Sequence, residues 1–101
     1  MYMNILENIP FNNDKPAVHV IRKTDTIKYI AVGLLKDQLL PEHKTGFPTI
    51  LTVLKGSIEF SIEDEKHVFN EFDTYQIPVN VMHHVRGLEA KNAFTLLLET
   101  K

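Results

Sequence analysis

The chain has 101 residues, 44% of them hydrophobic, with a formal net charge of -2 and no cysteine. A chain of this length forms one domain that buries roughly 65% of its unfolded surface, and without cysteine it has no disulfide, thiol nucleophile or thiolate metal site. Its 11 basic residues are scattered and no run approaches the ~20 apolar residues of a membrane span, so composition argues against nucleic acid and membranes as partners.

Residues 1–15 read as an N-terminal arm. Tyr2, Ile5, Leu6 and Ile9 recur at helical spacing, but Pro10 keeps any helix brief. The turn-rich cluster Asn12-Asn13-Asp14-Lys15-Pro16 marks the boundary. Residues 1–14 contain no Lys or Arg and no long apolar stretch, so no signal peptide is predicted and the expected compartment is the cytoplasm.

Residues 16–101 read as one all-β domain. Short runs rich in β-branched and aromatic residues predict strands at Ala17–Arg22, Ile27–Leu35, Gln38–His43, Thr49–Lys55, Ser57–Ile62, His67–Phe69, Thr74–Pro78, Met82–Arg86 and Ala93–Glu99. The clearest alternation is Ser57–Ile62, with Ile58, Phe60 and Ile62 on one face and polar residues on the other. Lys55-Gly56 predicts a tight turn, and Glu63-Asp64-Glu65-Lys66 a hairpin turn into His67.

Many short strands with one apolar face suit a sandwich or barrel, because closing the sheets protects their edges. Tyr29–Val32, Ile50–Leu54 and Phe94–Leu98 are apolar on both faces, however. One face fills the interior and the other needs a cover. A second copy of the chain is the expected cover, making a homodimer, and the alternative is the N-terminal arm.

Four residues carry a resemblance to a known family. His43 and Gly56, then Pro78 and His83, fall at the spacings of the two cupin signature motifs, G-x5-H-x-H-x3-4-E-x6-G and G-x5-P-x-G-x2-H-x3-N. Thr45 stands where the second histidine belongs, Thr49 stands at the glutamate, and Asp37, Phe72, Asn80 and Gly87 replace other motif positions. The resemblance covers about Leu34 to Glu99. It implies a cupin double-stranded β-helix, a jelly-roll barrel with a short N-terminal arm, of a kind that often pairs as a homodimer.

The resemblance also implies that His43, Thr45, Thr49 and His83 line the barrel as ligand-binding residues. From the residues alone, His43, Thr45 and Thr49 share a face only if strand pairing runs regularly through Gly46-Phe47-Pro48. Tyr29, Phe60, Tyr75 and Phe94 fit a cavity lining and a packed core equally well. Tyr75 is included with the ligand-binding set.

Two imidazoles, His43 and His83, make a partial site for a divalent metal such as Zn, Ni, Cu, Fe or Mn. A catalytic zinc usually has three protein ligands, and the facial triad of non-haem iron needs a carboxylate. Threonine hydroxyls substitute poorly. Glu42 and His84 are chemically suitable, but alternation turns each to the opposite face unless a bulge intervenes.

On this reading no cofactor is required, and the histidines also suit acid or base work near neutral pH. No residue has the context of a nucleophile. His19, His67 and His84 read as polar-face or solvated residues, as do Glu59 and the Glu63-Asp64-Glu65 run.

The function read from the sequence is small-molecule binding. The alternatives are a divalent-metal-dependent isomerase, dioxygenase or decarboxylase with an incomplete two-histidine site, and a non-catalytic sensor or structural dimer module.

Overall fold

The computed structural model describes residues 2–101. Nine strands follow one short 3-10 turn: β1 (Ala17–Lys23), β2 (Ile27–Leu35), β3 (Leu39–His43), β4 (Thr49–Lys55), β5 (Ser57–Ile62), β6 (Glu65–Asn70), β7 (Thr74–Ile77), β8 (His83–Gly87) and β9 (Lys91–Glu99). They build two antiparallel sheets, one of five strands in the order β1-β2-β9-β4-β7 and one of four in the order β3-β8-β5-β6. Strand boundaries follow turn chemistry. The hairpin between β5 and β6 turns through Glu63 and Asp64 alone, with Glu63 at φ 53°, so Glu65 and Lys66 extend β6 instead of forming the turn.

The interior lies between the sheets. Ile58, Phe60 and Ile62 of β5 face inward, as their alternation predicts, against Val32, Leu34, Leu51, Val53, Ile77, Val85 and Phe94. All are buried, and each such side chain stabilises the fold by about 1.5–3 kcal/mol relative to exposure. Phe94 is therefore core.

The other face of the five-stranded sheet is partly covered by the chain itself. Ile5, Ile9 and Phe11 of the arm pack with Ala17, Ile21, Ala31 and Ala93. Gly33 makes this approach possible, because a β-carbon there would strike the side chains of Ile9 and Phe11. The brief helix expected in the arm is one 3-10 turn, Leu6–Asn8. Tyr29, a candidate for the cavity, lies on this outer face, since it alternates with inward Ile30 and shares the parity of Ala31. Val18 and Val20, on the opposite face of edge strand β1, remain 50% and 52% exposed.

Gly56 carries the chain from one sheet to the other. It sits at φ 73°, and a β-carbon would collide with the Asn92 side chain and the Lys91 carbonyl. Asn92 is fully buried there: its Oδ1 accepts from the Ser57 and Glu89 N–H groups at 3.0 Å each, and its Nδ2 donates to the Leu34 carbonyl at 3.0 Å and the Glu89 carbonyl at 2.9 Å. Among the described residues no helix is long and apolar enough to cross a membrane.

Candidate functional site

A β-bulge aims His43. Leu40 pairs with Val85 and His43 pairs with His83, so Pro41 and Glu42 together oppose the single residue His84. Leu40 packs on the core. Strict alternation from it would send Glu42 inward and His43 outward, and the extra residue reverses that. Proline suits the position because it has no N–H to give to a ladder. Glu42 stays exposed, and His84 opposes Ser61 on the outer side of the four-stranded sheet, as alternation requires.

The two histidine rings meet edge to face, with centroids 4.4 Å apart and planes at 61°. His43 Nδ1 lies 2.8 Å from the Pro41 carbonyl and His83 Nδ1 lies 3.0 Å from the Val81 carbonyl. A carbonyl can only accept, so each Nδ1 carries a proton, and the tautomer this selects has its lone pair on Nε2. Burial lowers the His83 pKa below its ordinary value of 6.5, the Val81 hydrogen bond works against this, and nearby His43 and His84 lower it further. His83 is accordingly neutral at physiological pH.

A wall of rings extends from this pair. Phe60 stacks on His83 at 5.4 Å and approaches Tyr75 at 5.0 Å and Phe69 at 5.6 Å. Phe69 and Tyr75 are 5.2 Å apart, and His67 lies nearly parallel to Phe69 at 5.7 Å. His67, expected in solvent beside the acidic turn, shares the inward parity of Phe60 while its side chain stays 37% exposed. The two-residue turn brings it opposite Phe60 in the β5–β6 pairing, and cross-strand partners share a face. Phe69, two residues on, was the available sequence signal, but Val68 could equally have claimed the interior.

The remaining candidates have other geometry. Thr49 is buried opposite Ile77 and Leu98, and its hydroxyl donates to the Phe47 carbonyl at 3.0 Å. The Thr45 hydroxyl accepts from the Phe47 N–H at 3.3 Å, and its carbonyl accepts from the Asn80 N–H at 2.8 Å. Both hydroxyls thus brace the loop between β3 and β4. Tyr75 pairs with Leu51 and joins the rings, linked to His83 through Phe60.

Among the described residues no group of three or more His, Asp or Glu side chains is arranged to hold a metal ion. The two Nε2 lone pairs supply two positions where a catalytic metal usually takes three protein ligands, and Glu42 points away. The donor set does not complete such a site.

Two antiparallel sheets closing over a common interior, with a histidine from β3 facing one from β8, define the fold class: the double-stranded β-helix, the jelly-roll architecture of cupin structures. Solved structures agree. The chain is similar to an uncharacterized conserved protein with a double-stranded β-helix domain from Klebsiella pneumoniae (TM-score 0.89, 14% identity, covering 98% of this chain and 89% of that one). It is similar also to an RmlC-like cupin from Desulfovibrio desulfuricans (TM-score 0.88, 18% identity, 99% and 96%) and to KdgF from a Halomonas species (TM-score 0.85, 18% identity, 99% and 94%). At such identities the likeness is one of fold. No family model and no curated relative matches the sequence.

Proposed function

We propose that this cupin binds a small molecule in its barrel, with His43, His83 and Tyr75 as contacts, and with no resident metal required. The observation that supports it is the His43–His83 pair, whose Nε2 atoms make no hydrogen bond to a described residue and adjoin a wall of aromatic rings. Ligand pockets are of this kind, mostly apolar with a few convergent polar groups. Thr45 and Thr49 act in this reading by holding the loop beside the pair.

One observation favours a second reading, a divalent-metal-dependent enzyme. Backbone carbonyls hold both Nδ1–H groups, and metal-ligating histidines are commonly oriented in this way. Metal analysis of untagged protein separates the two. Well under one equivalent is expected in the wild type; about one equivalent, lost in the His43→Ala/His83→Ala variant, would replace the first reading with the second. A fragment screen followed by imidazole NMR tests binding itself, and a screen in which no compound moves His43 or His83 would refute it.

The protein works as a homodimer in this proposal, supported by the half-exposed Val18 and Val20 on edge strand β1. Light scattering at micromolar concentration is expected to give about twice the chain mass of 11.6 kDa.

A further inference from the structure

Two prolines end the β4–β7 ladder and leave a cleft beside it. Thr49 pairs with Ile77, so the next positions in register are Pro48 and Pro78, and neither has an N–H to give to the ladder. On its other side β4 pairs with β9, and the same register sets Pro48 opposite Glu99. The Pro48 carbonyl accepts from the Glu99 N–H there at 2.9 Å. The strand ends enclose a cleft of about 320 Å³, lined by both prolines and by Ile50, Gln76, Val79 and Glu99.

This cleft lies outside the barrel. Ile50 pairs with Gln76 on one side and with Leu97 on the other, so these residues and Glu99, two positions after Leu97, share the outer face of the five-stranded sheet. The prolines, Ile50 and Val79 make its walls apolar, and Ile50 and Val79 remain 38% and 41% exposed. Gln76 and Glu99, both exposed, supply the polar groups. Among the described residues no basic side chain lines the cleft or forms an ion pair with Glu99.

We infer that this cleft is a binding site for a small organic ammonium ion with a compact apolar body. Burial of the body against the prolines, Ile50 and Val79 removes apolar surface from water on both sides. The Glu99 carboxylate meets the positive charge, and the Gln76 amide oxygen accepts a further N–H. An anion is repelled by the same carboxylate. A volume at the low end of small-molecule pockets limits the body to about one ring. Because the cleft is separate from the barrel interior, this site does not depend on the His43–His83 reading.

Benzylamine, benzyl alcohol and benzoate test the site, since each carries one ring and their polar groups are positive, neutral and negative near pH 7. Amide and imidazole NMR titrations of the full chain give both the place of binding and the affinity. Benzylamine is expected to shift the amides of Ile50, Gln76, Val79 and Glu99. It should bind about two- to fivefold tighter than benzyl alcohol at low salt, the effect of one exposed ion pair, with benzoate weakest. High salt should reduce the preference. Glu99→Gln, which keeps the backbone bond to Pro48, is expected to abolish it, and Glu99→Asp to retain part of it. Equal binding of the three probes, a preference unchanged in Glu99→Gln, or no shift at the cleft amides overturns the inference. Shifts at the His43 and His83 rings in place of the cleft overturn it too, and support the barrel reading instead.

Discussion

His43 and His83 stand directly opposite one another on β3 and β8, and in both the Nδ1–H is held by the carbonyl two residues earlier in the chain, Pro41 within β3 and Val81 just before β8. The two strands thereby repeat one local device. Each ring keeps its proton on the backbone side and its lone pair on the other nitrogen, 4.4 Å from its neighbour by centroid.

Burial makes stability depend on pH. The His83 pKa lies below 6.5 in the folded chain, so on acidification the unfolded chain takes up the proton first. The contribution is whole above pH 6.5 and is lost as pH falls from 6.5 toward the folded value. Thermal midpoints recorded from about pH 8 to about pH 5 are expected to fall below this point, and less so in His83→Gln. An identical fall in that variant would assign the effect elsewhere.

Asn92 is expected to be the most costly polar residue to truncate. Asn92→Ala strands the buried N–H of Ser57 and the carbonyl of Leu34 where β4, β5 and β9 meet. Denaturant unfolding should show a loss of about 3 kcal/mol. A loss below about 1 kcal/mol would mean that water replaces the amide.

Phe72 stands at a motif position that calls for glycine, and the backbone there has φ 73° with the side chain 79% exposed. Left-handed backbone costs a non-glycine residue about 1–2 kcal/mol, and this ring recovers little by packing. Phe72→Gly should raise stability by about 1 kcal/mol after the entropy of glycine is counted. Asn80→Gly, at φ 63°, should gain less, because asparagine tolerates this region. Urea midpoints of the two variants check the order.

Gly33→Val is expected to lift the arm. The added side chain meets Ile9 and Phe11, and overpacking of this kind costs about 1–3 kcal/mol. Limited proteolysis should cut within residues 10–15 faster than in the wild type, with the barrel fragment left intact. Unchanged cleavage would show that the arm adjusts without detaching.

The bounds of β2, β4 and β5 were legible in the sequence to the residue. Each is a dense β-branched or apolar run ended by a turn-former, so local preference and pairing agree. Pairing decided the rest. The direction of His43 depended on a bulge at Pro41 and Glu42, visible only against the opposing β8. His67 reads as solvated in the sequence, and only the pairing of β6 with β5 after the two-residue turn sets it opposite Phe60. The arm's cover over Ala31 and Ala93 required knowing that Gly33 lay beneath it.

By itself the sequence determined the all-β class, the turn at Gly56 and the pairing of Pro78 with His83 in a cupin-like motif, because these rest on residue chemistry within a few positions. Only the tertiary structure decided which polar groups share the interior. A strand shows alternate residues to opposite faces, so one added residue or one shortened turn exchanges the faces, and a single strand read alone holds no record of which face its partner will cover.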